Sequence, residues 1–179
     1  MNDSKKNILE KLFSIYSHHY DLDRDGIHGG GVFPATATYF LRDENYLISK
    51  KHVLNAVENY DYVYFCTVDH LDTSTLHRYI NQSLQLGMAR VRPHKEHMSS
   101  FVTLVIMAET IDPEAKTLLK RTKIRKYFRF AFHGWMEYHI AAVELSSNQV
   151  ISNSAGRETR ILLEQNFGLN PPKRGVRRK

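Results

Sequence analysis

His94, Glu96 and His97 form the densest ionisable cluster in the chain. A histidine pair with a carboxylate between them can bind zinc or supply an acid and a base. Zinc proteases place their two histidines four apart on a helix, with the glutamate directly after the first. Here the histidines are three apart and the glutamate comes two after the first, so a metal-dependent hydrolase or nuclease would need a further ligand from His70, His133 or His139. Glu137 and His139, two apart, share a face of any strand that holds them and make a second acid–base couple. The candidate catalytic set is therefore His94, Glu96, His97, His133, Glu137 and His139. The competing reading of the first three is a helix-to-strand loop whose polar groups tie down Pro93 and the turn. No metal and no cofactor is assigned.

Other motifs fail on inspection. Asp21-Leu22-Asp23-Arg24-Asp25-Gly26 opens like an EF-hand loop, but Val32 stands where the bidentate glutamate belongs, and a solvated acidic turn is the better reading. No Gly-rich phosphate loop and no Gly-x-Ser-x-Gly elbow occurs, which removes the commonest nucleotide and hydrolase signatures. His133-Gly134-Trp135 interrupts a strand pattern and reads as a bulge whose indole packs on the sheet, with a ligand-stacking platform as the alternative.

Charge is unevenly distributed. Residues 1–72 carry 7 basic and 11 acidic side chains, a net −4; residues 73–172 carry 13 and 8, a net +5; the last seven carry 5 and none. Lys116, Lys120, Arg121, Lys123, Arg125, Lys126 and Arg129 follow one another with no acid between them. Lys173, Arg174, Arg177, Arg178 and Lys179 follow Pro171-Pro172 in a stretch with no apolar pattern to fold on, so residues 171–179 read as a disordered tail. Both sets are the electrostatic footprint of a domain that contacts an anionic partner such as nucleic acid. From a polar start and apolar runs far shorter than the roughly 20 residues of a membrane span, the expectation is a cytoplasmic protein without a membrane contact. The single cysteine, Cys66, lies among aromatics and is expected to be a buried thiol.

The elements that position these residues are legible from periodicity. Phe101–Ala108, with Thr103 the one polar residue, and Ile140–Val143 are apolar on both sides, as in strands covered on both faces. Phe128, Phe130 and Phe132 alternate with Tyr127, Arg129 and Ala131, which predicts a half-buried strand and a buried Phe130. Ser4–His19 is an amphipathic helix, and Ala35–Leu41 and Tyr46–Ser49 flank Arg42-Asp43-Glu44-Asn45 as a hairpin. A short helix over Lys50–Asn59 and a strand over Tyr62–Val68 come next. Asp72 or Thr73 caps a helix to Val91, Asp112-Pro113-Glu114 opens another, and Ser154 caps a last one that Gly168 stops. The order predicts an α+β (mixed α/β) fold, one domain over residues 1–170, with a central mixed sheet of about five to seven strands covered by about five helices.

Three stretches look alike as a set to a known family. Pro93-His94-Lys95-Glu96-His97-Met98-Ser99-Ser100, Phe132-His133-Gly134-Trp135 and Asn153 through Gly156-Arg157-Glu158 resemble a family of small bacterial cytosolic proteins known as a domain of unknown function, over most of residues 5–167. The resemblance lends no catalytic residues. The function expected from the residues is a non-catalytic binding or adaptor domain that contacts an anionic partner through its basic half and tail; the hydrolase built on His94, Glu96 and His97 is the alternative.

Overall fold

The computed structural model describes residues 3–46 and 53–169. In chain order the elements are α1 (Asp3–Tyr16), β1 (Asp21–Asp23), β2 (Ala35–Tyr46), β3 (Val53–Leu71), α2 (Thr73–Arg90), β4 (His97–Ile111), α3 (Pro113–Arg121), β5 (Arg125–Tyr127), β6 (Trp135–Glu144), β7 (Gln149–Ser152) and α4 (Arg157–Phe167). The strands make one mixed seven-stranded sheet in the order β1-β2-β3-β4-β6-β5, with β7 also pairing β6. β3, β4 and β6 run parallel in the middle, and the remaining pairs are antiparallel. This is the α+β architecture expected.

The apolar runs fix where the helices go. Along β3, Tyr62, Tyr64 and Cys66 face a core that includes Leu76 and Ile80 of α2 and Ala115 and Leu119 of α3. The alternate residues Val63 and Phe65 face a second core, with Leu9, Leu12, Phe13 and Tyr16 of α1 and Leu163 of α4. β4 and β6 divide the same way, so the sheet is sandwiched between two helical layers. Of the two candidates Asp72 and Thr73, Asp72 caps α2, accepting from the Thr75 N–H at 2.6 Å, and Gly168 ends α4 at φ 63°. The acidic turn is held by Asp23, whose carboxylate accepts from the backbone N–H of Asp25 and His28.

Three expectations are corrected. The described part of the Lys50–Asn59 helix, from Val53 on, is strand: Val57 pairs with Asp43 and Glu58 with Arg42 in the β2–β3 ladder. Arg42-Asp43-Glu44-Asn45 is likewise strand and not the turn, which falls in residues 47–52, outside those described. A hairpin that runs on past the sheet has no core to face, so its polar residues imitate a loop. Four helices are therefore found among the described residues in place of about five.

The third correction is the phenylalanine strand. Regular pairing ends at Tyr127, and residues 128–134 form a loop with Arg129, Phe130 and Ala131 all left-handed, at φ 47°, 55° and 73°. The Phe132 N–H donates to the Arg129 carbonyl and the His133 N–H to that of Phe128, closing two successive turns. Three alternating residues are too few to separate a strand from a loop by period. Only Phe128 packs inward; Phe130 is 97% and Phe132 81% exposed. Phe130→Ala is accordingly expected to cost less than about 0.5 kcal/mol in chemical denaturation, whereas Phe65→Ala, in the core, is expected to cost about 3 to 5 kcal/mol.

Candidate functional site

The segment between α2 and β4 brings His94, Glu96 and His97 against the β2–β3 hairpin. His94 Nε2 lies 3.0 Å from one oxygen of Glu58, and the Tyr60 hydroxyl donates to the same carboxylate at 2.8 Å. Arg42 donates to Glu58 at 2.5 Å and to Glu96 at 2.8 Å. Burial pushes the Glu58 carboxyl up, but the bonds from Tyr60 and Arg42 and the nearby His94 outweigh it and hold it below the usual glutamate range.

His97 is fully engaged. Its Nδ1 lies 2.7 Å from the His133 carbonyl, which can only accept, so the proton sits on Nδ1. Nε2 then accepts from the Ser100 hydroxyl at 2.8 Å. Burial holds the imidazole below the usual histidine range, and the Ser100 side chain is fully buried with no face open to a substrate. Of His133, only the backbone carbonyl takes part.

The candidate hydrolase residues thus act as fasteners between hairpin, linker and loop. Among the described residues no group of three or more His, Cys, Asp or Glu side chains is placed to hold a metal ion, and metal chemistry would require these side chains to leave their partners. Glu137 and His139 lie on the opposite face, where Glu137 meets Arg125 at 3.4 Å and His139 stacks on Phe101 at 4.7 Å.

The cations are arranged along the outer edge of β6. That strand is paired by β5 at its start and by β7 at its end, leaving a gap at Tyr138–Ile140. Asn153, buried, fills it with one amide: Oδ1 accepts from the Ile140 and Gly156 N–H groups at 3.1 and 2.7 Å. Nδ2 donates to the Tyr138 and Thr122 carbonyls at 2.9 and 3.1 Å. One side chain so replaces a missing stretch of strand and ties down the start of α4.

Around Asn153 opens a cleft of about 580 Å³ lined by Lys120, Ser152, Ser154, Arg157 and Arg160, with Gln149, Val150 and Ile151 and no acidic residue. The Arg160 guanidinium also reaches Glu164, at 3.8 Å, and its Nε is buried without a hydrogen-bond partner. The α4 N-terminus adds a partial positive charge. Further along the edge Lys123, Arg125, Lys126 and Arg129 are exposed. The Arg125 guanidinium lies 5.6 Å from the Tyr127 ring and 5.7 Å from Trp135, and Lys126 lies over Phe128. Lys116 is not part of the surface, because Glu144 takes it at 2.7 Å. Arg121 stands apart in a shallow groove with Pro113 and Leu118. Lys173, Arg174, Arg177, Arg178 and Lys179 lie outside the described residues.

Sequence reasoning found Lys120 but missed Arg157 and Arg160. Nothing in their spacing joins them to Lys120; only the pairing of β7 with β6 does. The one available signal was the Asn153–Glu158 stretch, which stood out as a pattern without a chemistry.

Fold and site together define a three-layer α+β domain with a basic sheet edge. The chain belongs to the family described as a domain of unknown function, DUF8052, whose model matches residues 4–165. This agrees with the resemblance to an uncharacterised domain family. No curated protein matches the chain, and no solved structure does. No helix among the described residues is long and apolar enough to cross a membrane.

Proposed function

We propose that this chain is a non-catalytic binding domain, acting in the bacterial cytoplasm, that engages single-stranded nucleic acid through the outer edge of its sheet. The observation that carries the reading is the acid-free cleft where Lys120, Arg157 and Arg160 converge. Such a cleft suits a phosphate, which accepts several hydrogen bonds from guanidinium groups at once. The same edge continues into Tyr127, Phe130 and Phe132, exposed by 56%, 97% and 81%, with Lys126 and Arg129 interleaved. Exposed rings beside cations are the stacking platform and electrostatic track that unpaired bases and their backbone require. The five tail cations add to this reading on charge alone. The net −4 of residues 1–72 orients a polyanion toward this edge. The buried Cys66 accords with a reducing compartment.

The test is fluorescence anisotropy with a short labelled single strand and its duplex at low salt. The full chain is expected to bind the single strand more tightly. The joint change Lys120→Ala, Arg157→Ala and Arg160→Ala should weaken both, and Phe130→Ala with Phe132→Ala should weaken the single strand selectively, by about 1 to 3 kcal/mol per stacked base. Absence of binding to either strand form at low salt would remove the proposal.

A further inference from the structure

On the α1/α4 side, helical cover ends before the sheet does. Tyr39, Asp61, Phe101 and Glu137 form one row across β2, β3, β4 and β6. Next to this row, against α1 and α4, lies a cavity of about 540 Å³, within the range of small-molecule sites. Its walls include Tyr16, Tyr20, Tyr39 and Phe101, and its acids are Asp61 and Glu158; no lysine or arginine lines it. The Tyr16 and Tyr20 ring centroids lie 5.0 Å apart and those of Tyr20 and Tyr39 5.3 Å apart, so three rings succeed one another along one wall.

Asp61 needs explaining. It sits in the central part of the sheet, one alternation from Val63 and two from Phe65, where an apolar side chain would pack without cost. Its carboxylate accepts from the Tyr20 hydroxyl at 2.9 Å and the Thr103 hydroxyl at 2.8 Å. Among the described residues no cation reaches it, and desolvation pushes the carboxyl up to about 6. A desolvated carboxylate without a counter-cation opposes folding, which makes it a candidate for a role beyond packing. The contacts of His139 are with other groups, its Nε2 lying 4.0 Å from Glu137 and its ring stacked on Phe101, and burial holds that imidazole below its ordinary range.

We propose that this cavity binds a small organic ammonium ion, with the positive nitrogen held against Asp61 and over the tyrosine rings. The carboxylate provides the charge and the free lone pairs, and the rings provide the attraction that aromatic faces exert on cations. Neutral and anionic ligands gain neither. The groups around Asp61 are Tyr16 on α1, Tyr20 beyond α1, Tyr39 on β2, Thr103 on β4, His139 on β6 and Glu158 on α4. Of these, burial and Asp61 itself raise the Tyr20 phenol, which stays neutral. Protonating Asp61 removes the attraction, so affinity falls as pH drops through about 6.

The test is calorimetric titration of the full chain, at constant ionic strength, with butylammonium, tetramethylammonium and butanol, the neutral isostere of the first. At least one ammonium ion is expected to bind about tenfold or more tightly than butanol. Preference for butylammonium would assign the larger part to hydrogen bonds with Asp61, and preference for tetramethylammonium to the rings; both support the site. Asp61→Asn should weaken ammonium binding by about tenfold or more, while melting no lower than the parent, because a neutral amide replaces a desolvated charge. Tyr39→Leu should weaken tetramethylammonium more than butylammonium. The variant lacking Lys120, Arg157 and Arg160 should bind ammonium as the parent does, which separates this site from the basic cleft. Equal affinity for butanol, undiminished binding by Asp61→Asn, or no binding at millimolar ammonium would overturn the proposal.

Discussion

Asn153→Ala is expected to destabilise the domain by about 3 to 5 kcal/mol, although Asn153 is a single small polar residue between a strand and a helix. Its amide makes four hydrogen bonds, to the N–H groups of Ile140 and Gly156 and the carbonyls of Tyr138 and Thr122. Alanine leaves all four groups without their partner, and each buried unpaired group costs about 1 to 3 kcal/mol. Water entering from the open cleft recovers part of that, which keeps the total below the simple sum. Asn153→Asp retains the two acceptor bonds but turns a negative oxygen toward two carbonyls, so it is expected to be no better tolerated. Urea denaturation checks both, and a loss under about 1 kcal/mol for alanine would show that the gap in the β6 edge closes by other means.

Gly134→Ala is expected to cost more than about 3 kcal/mol, against about 1 to 2 kcal/mol for Gly168→Ala. Both glycines are left-handed, at φ 75° and 63°, so the conformational strain of adding a Cβ is alike. Their surroundings differ. A Cβ at Gly134 would collide with the carbonyl oxygens of Met98 and His97 and with His97 Nδ1, whereas nothing lies within 4 Å of one at Gly168. The excess therefore measures how closely the 128–134 loop is pressed onto the start of β4. Because His97 Nδ1 donates to the neighbouring His133 carbonyl, Gly134→Ala should also disturb the His97 ring, read as a change in its chemical shifts by NMR. Equal losses at the two glycines in chemical denaturation would mean that the loop is not seated as described.

What was legible in the sequence followed from burial on both sides. Phe101–Ala108 and Ile140–Val143 could be read because a strand covered by helices on two faces leaves few polar positions to confuse the pattern, Thr103 being the single one in these stretches. The N-cap of α2 and the stop of α4 were equally legible, since each rests on one residue's chemistry. The β2–β3 hairpin and the loop after β5 were misread for opposite reasons. Polar Arg42–Asn45 belongs to a strand that outruns the core, and apolar Phe130 and Phe132 belong to a loop that exposes them. In both places the usual link between hydrophobicity and burial is broken.

The site was legible only in part, because sites are assembled across elements. His94, Glu96 and His97 drew notice as neighbours, but Glu58 and Arg42 arrive from the hairpin to engage His94 and Glu96, while Ser100 and the His133 carbonyl take up the ring nitrogens of His97. The run Lys116–Arg129 was read as one basic band, yet Lys116 turns to Glu144 while Arg157 and Arg160 join Lys120 from the end of the chain. Linear charge density identified the basic half and could not tell which cations converge.

The most direct measurement of the central claim is the salt dependence of single-strand binding, for the parent and for the variant lacking Lys120, Arg157 and Arg160. If those three side chains hold one phosphate between them, the slope of log affinity against log salt should become shallower by about 0.7, the value for one phosphate of a single strand. Binding at low salt should weaken at the same time. A parallel pair of lines, with the parent's slope kept in the variant, would contradict the account and place the anion elsewhere than the cleft around Asn153.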